Sequence, residues 1–242
     1  MPPDKIYAFI TSAFVAEILG TVGGFGSSLF FVPIAAYFLD FHSVLGITAL
    51  FHVSSNLTKI ALFRHGFDKN IILWVGIPAV VFVVIGAYLS QFANTDILEK
   101  ILGVFLIVIS VFFFLNRNMK IEPSRRNSLL GGVFSGLAAG LLGTGGAIRG
   151  LTLASYQLRI EVFIATSAII DLAIDASRAV VYTSNGYVHK HDLYLIPLLL
   201  VVSILGTLIG KKILSKISED KFKMIVLGMI FLTGIFSLLN LN

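Results

Sequence analysis

Cysteine is absent from the 242-residue chain. That excludes disulfides, thiolate metal ligands and thiol nucleophiles. Charge is scarce: 13% of residues are Asp, Glu, Lys or Arg, against about 25% in a soluble domain. No GxxxxGK(S/T) phosphate loop, HExxH or GxSxG stretch occurs, which argues against ATP-driven work and the common hydrolases. The first residues, MPPDKIYAFI, lack the basic start and small-residue cleavage site of a signal peptide. What the chain has instead is hydrocarbon. Hydrophobic residues make up 57% and mean hydropathy is +0.94. Runs such as 71–91, 101–115, 193–210 and 225–239 approach or exceed the about 18 residues that read as a bilayer span. The expectation is a polytopic, all-α membrane protein whose surroundings are lipid.

The chain repeats itself once. ILGTVGGFG from Ile18 is answered by LLGTGGAIRG from Leu141, and GIPAVVFVVIGAYL from Gly76 by LIPLLLVVSILGTLI from Leu195. At the offset that separates Pro78 from Pro197, His52 corresponds to Asp171, Asn56 to Asp175 and Lys59 to Arg178. The basic loop RNMKIEPSRRNS joins repeats of 1–120 and 121–242. Each repeat reads as five segments, at 6–22, 26–40, 43–63, 71–91 and 98–116, then 128–142, 147–157, 161–182, 192–212 and 221–239. The first two of each set meet at glycines.

Loop charge sets the topology. If each glycine-joined pair enters and returns, Arg64, Lys69, Arg117, Lys120, Arg125, Arg126, Arg159, Lys211, Lys212, Lys216, Lys221 and Lys223 share one side. Lys5, Lys100 and Lys190 share the other. Twelve against three favours this over straight crossings, with the basic side cytoplasmic. Both termini are then extracytoplasmic in the cell (inner) membrane. The repeats are inverted, each a glycine-broken hairpin (re-entrant or short crossings) plus three transmembrane helices.

Broken backbone inside a membrane must be buried in protein or face water. It also frees N–H groups at the start of the second arm, where the helix dipole favours an anion. The candidate anion-binding residues are Gly23, Gly24, Gly26, Ser27 and Ser28 in the first half and Gly145 and Gly146 in the second. Arg149 adds a rigid charged donor fork. The alternative is that these small residues only let helices pack closely.

GTVGGFGSSLFFVPIAAYF, with Val32 and Pro33, and GLAAGLLGTGGAIRG resemble the sulfite exporter TauE/SafE family, also called the toluene sulfonate uptake permease family. The resemblance covers nearly the whole chain. It implies carriage of sulfite, thiosulfate or organosulfonates, often outward and linked to protons.

Ionisable groups inside the bilayer are costly and point to function. Asp171, Asp175 and Arg178 lie on one helix face, and His52, Asn56 and Lys59 share that spacing. His52, Asn56 and Arg178 are candidate anion ligands; Asp171, Asp175 and Glu17 are candidate proton carriers, with His52 also able to titrate. Asp175 and Arg178 also read as a clamp between helices, and Lys59 as a side chain that snorkels to the interface. His42 and Glu161 fall at segment ends and Trp74 reads as an interfacial anchor. His65, His189 and His191 fall in loops, and no His pair has ligand spacing on a helix, so no metal and no cofactor are expected. The expected function is a secondary transporter rather than an enzyme, with no nucleic-acid partner and with a homodimer open to it. A passive anion channel and an intramembrane enzyme are the alternatives.

Overall fold

The computed structural model describes residues 3–24, 26–64, 66–116, 122–214 and 216, with residues 228, 231, 234, 235 and 238 beyond them. Among these the regular elements are all helical. They are α1 (Pro3–Gly23), α2 (Ser28–Ala35), α3 (Phe41–Leu62), α4 (Lys69–Phe92), α5 (Thr95–Leu115), α6 (Arg125–Leu142), α7 (Gly146–Ala154), α8 (Ile160–Ser184) and α9 (Leu195–Leu214). Lys5–Gly23, Lys69–Phe92 and Leu195–Leu214 are long and apolar enough to cross a bilayer. The expected last segment, 221–239, lies for the most part outside the described residues.

Side-chain caps explain why several helices start earlier than hydropathy suggests. Asp40 accepts the Ser43 amide at 3.0 Å to open α3, Asp68 accepts the Ile71 amide at 3.0 Å to open α4, and Ser124 accepts the Asn127 amide at 3.1 Å to open α6; each satisfies a donor the helix leaves orphaned. The arms of the hairpins are unequal, which the expected segments 6–22 and 26–40 do not show. α1 has 21 residues and α6 has 18, whereas α2 has 8 and α7 has 9. The long arms match a full crossing and the short arms only a re-entrant half. In α4 a π-helical stretch, Ile72–Gly76, precedes Pro78, a local rewinding that accommodates the amide proton proline lacks.

Both pairs enter and return. The Phe9 ring near the start of α1 meets Phe38, just past α2. Ser128, at the start of α6, bonds Tyr156, just past α7. At one end of the bundle His42 stacks on Tyr187 at 4.1 Å and Ser90 bonds the Tyr187 hydroxyl. At the other, Lys211 donates to the Leu62 carbonyl and the Arg125 guanidinium sits over the Trp74 ring. α1 starts at the first end and α6 at the second.

The polar helices α3 and α8 pack on each other at the centre. α1 lies along α9 and α4 along α6, while α9 also meets α3 and α4 meets α8. Exchanging the halves at the sequence offset (α1 for α6, α3 for α8, α4 for α9) returns the same set of contacts. Close approach comes from small residues. A Cβ added at Gly132, Gly136 or Gly140 would lie 2.4, 2.3 or 2.4 Å from carbonyl oxygens of α4, and one at Gly206 or Gly210 would lie 2.8 or 2.7 Å from side-chain carbons of Glu17 or Thr21.

Candidate functional site

The two breaks meet. Ser28 at the start of α2 donates to the Thr144 hydroxyl before α7 at 3.2 Å. Gly143 ends α6 with φ +74°, a left-handed turn that glycine adopts without strain. Between the tips and the centres of α3 and α8 lies a partly open cavity. Its wall is formed by Gly26, Ser27, Ser28, His52, Ser55, Asn56, Lys59, Ala139, Gly143, Gly145, Gly146, Arg149, Asp171, Ile174, Asp175 and Arg178. It offers about 20 Å³ to the centre of a water-sized sphere, a little above the about 10–15 Å³ that holds one water.

The two polar triplets face each other across this cavity. Asn56 donates to Asp175 at 2.7 Å, a direct contact between residues 119 apart. Arg178, 1% exposed, has all three guanidinium nitrogens engaged: Nε donates to Asp175 at 2.7 Å, Nη1 to the Gly143 carbonyl at 2.9 Å and Nη2 to His52 Nδ1 at 3.0 Å. It therefore pins the second glycine turn to both central helices. Guanidinium cannot accept, so His52 Nδ1 carries a lone pair and the proton of the neutral ring sits on Nε2. That Nε2 is buried at the cavity wall and has no hydrogen-bond partner among the described residues. An N–H so placed is a donor waiting for an acceptor.

Arg149, 2% exposed, forms an ion pair with Asp171 and donates from Nε to Ser167 at 3.3 Å. The Asp171 side chain keeps 14% of its surface accessible, more than any other paired carboxylate of the site.

Glu17 is fully buried and lies behind the wall rather than in it. Its carboxylate accepts from Ser55 at 2.6 Å, Ser27 at 2.7 Å, Thr207 at 2.9 Å and Thr21 at 3.1 Å, and pairs with Lys59 at 3.0 Å. Lys59 is 6% exposed and also donates to Ser55 at 2.7 Å; it does not snorkel to the interface, because its partner is inside the bundle. Lys59, Arg149 and Arg178 thus stand against Glu17, Asp171 and Asp175, three charges of each sign.

Gly23 and Gly24 also lie outside the wall. A Cβ at Gly24, where φ is +69°, would lie 2.7 Å from the Phe163 ring, and one at Gly145 would lie 2.0 Å from the Ser135 carbonyl oxygen. Close packing and turn geometry therefore occupy part of each glycine cluster. Sequence reasoning missed Ser55 and Gly143. Ser55 was legible from its spacing, three after His52 and four before Lys59 on the same helix face.

The chemistry of this wall suits a small anion. Two helix N-termini, a guanidinium and an imidazole N–H unpaired among the described residues border one space. Residues 9–237 match the family described as sulfite exporter TauE/SafE. A protein of Methanocaldococcus jannaschii described as a probable membrane transporter protein is 29% identical, over 95% of this chain and 94% of the relative.

Proposed function

The chain belongs to the sulfite exporter TauE/SafE family and is a membrane transporter; on that premise we propose that it carries a small sulfur oxyanion outward by alternating access, together with a proton. The observation that carries this reading is the cavity shared by both broken helices, with Arg149 and the unpaired His52 Nε2–H in its wall.

Arg149 has one guanidinium and two claimants, Asp171 and the anion. Protonation of Asp171, the most accessible of the paired carboxylates, frees Arg149 to bind the anion without adding a like charge beside it. Opening of the pair also enlarges a space that as it stands suits a water. The anion then receives Arg149, His52 Nε2–H and the N-termini of α2 and α7. Inorganic sulfite or thiosulfate fits so small a site better than an aryl sulfonate.

A divalent anion leaving with one proton carries one net negative charge outward. An interior-negative potential supplies about 2.3 kcal/mol per 100 mV to that step. The two inverted halves, 1–120 and 121–242, rock about the α3–α8 seam. The end that bears Lys5, Lys100 and Lys190 faces outward by the positive-inside rule.

The test is efflux of radiolabelled sulfite from proteoliposomes under imposed potassium and pH gradients, with a pH dye inside. Efflux should rise with an inside-negative potential, move protons with the anion, accelerate on counterflow and vanish in Arg149→Ala. Wild-type efflux in Arg149→Ala would remove the proposed site. Flux indifferent to counterflow would make the protein a channel.

A further inference from the structure

The sequence HKHD, 189–192, lies in the connection between α8 and α9. A 3₁₀ turn, Lys190–Asp192, folds it back on itself, with the Asp192 amide donating to the His189 carbonyl at 3.0 Å. The turn stacks the His189 and His191 rings, centroids 5.2 Å apart and 18° from parallel, above Asp192. One ligand atom from each of the three lies within 4.8 Å of the other two. No helical spacing announces this grouping, which is why loop position alone gave these residues no role.

Asp192 is 3% exposed, yet its Oδ2 accepts no hydrogen bond from the described residues. A buried carboxylate oxygen without a donor is costly and calls for a cation. His191 Nε2 lies 3.4 Å and His189 Nδ1 3.8 Å from that oxygen. In a tetrahedral site with bonds of about 2.0–2.1 Å, neighbouring ligand atoms lie about 3.4 Å apart. One separation already fits. The others close by rotation of the exposed His191 and a small shift of His189, whose Nδ1 trades the Ser43 hydroxyl, now at 2.8 Å, for the ion.

We propose that His189, His191 and Asp192 form a binding site for a divalent transition-metal ion. Two imidazoles and one carboxylate are the donor set of zinc sites that keep a fourth position open to water, and they disfavour Mg²⁺ and Ca²⁺. Without the ion, His189 Nδ1 holds the Ser43 hydroxyl and so ties the α8–α9 connection to the start of α3. It lies at the bundle end away from Lys211, so it binds independently of the anion cavity.

Tag-free, full-length protein in nanodiscs, stripped with chelator, should bind Co²⁺ with the visible absorption of a four-coordinate site. Zn²⁺ should displace it at one ion per chain and raise the melting temperature. The His191→Ala side chain replaces one that is 77% exposed, so the fold survives the change. Its Zn²⁺ affinity should fall by more than the about 10–100-fold that loss of an outer-shell partner costs, with sulfite efflux unchanged. Asp192→Asn should abolish binding. Mg²⁺ should not compete. Absence of saturable Co²⁺ or Zn²⁺ binding, or wild-type affinity in His191→Ala, would overturn the site and leave the transport reading untouched.

Discussion

The Arg149–Asp171 pair offers the sharpest perturbation. Arg149 is 2% exposed and has two partners, Asp171 and Ser167. Replacing it with Met keeps the stem but leaves the Asp171 charge without its counter-charge. Asp171→Asn strands the guanidinium instead. Breaking one side of a buried pair costs about 3–5 kcal/mol, whereas replacing both sides with neutral groups is often close to neutral. The 14% accessibility of Asp171 puts Arg149→Met at the lower end, about 3 kcal/mol. Arg149→Met/Asp171→Asn should then cost less than the sum of the single changes by at least about 3 kcal/mol, a coupling at the top of the usual range for contacting residues. Reversible unfolding in mixed micelles measures the stabilities, and efflux from proteoliposomes measures function in the same preparations. Stability should recover in the double variant while transport does not, because the anion's fork is gone. Additive stabilities would show that the pair is not the buried unit described. Recovered transport in the double variant would show that Arg149 does not touch the anion.

His52→Ala removes the free Nε2–H, a donor to a charged acceptor worth about 1.5–3 kcal/mol; the KM for sulfite efflux should rise about 10- to 100-fold, and an unchanged KM would place the anion elsewhere. Glu17→Gln leaves Lys59 buried without its carboxylate, so stability in micelles should fall by about 3–5 kcal/mol and Glu17→Gln/Lys59→Met should restore most of it; a flat response in the single variant would contradict the buried pair. Gly136→Ala puts a methyl 2.3 Å from the Ala79 carbonyl oxygen, and overpacking of this kind costs about 1–3 kcal/mol; a melting temperature equal to the wild type would mean that α4 and α6 do not approach as described.

Much of the architecture follows from local rules written in the residues. Long apolar runs without charge leave no option but the bilayer. Gly20–Gly26 and Gly143–Gly146 mark where the hairpins turn. The spacing of His52, Asn56 and Lys59, matched by Asp171, Asp175 and Arg178, puts each triplet on one face because a helix repeats every 3.6 residues. These features need only a helix's own periodicity, so a linear reading finds them. Partner choice is different, because it depends on which faces of separate helices come to lie against each other. Nothing in the order of residues says that Glu17 gathers hydroxyls from α1, α3 and α9 and the first glycine turn, that Lys59 turns inward to it, or that Arg149 pairs with Asp171 rather than standing free. Nor does it say that Arg178 takes up one nitrogen of His52 and leaves the other bare in the cavity. In a low-dielectric interior each buried charge must find a counter-charge or donor within about 3 Å, and only the packed bundle determines which one is within reach.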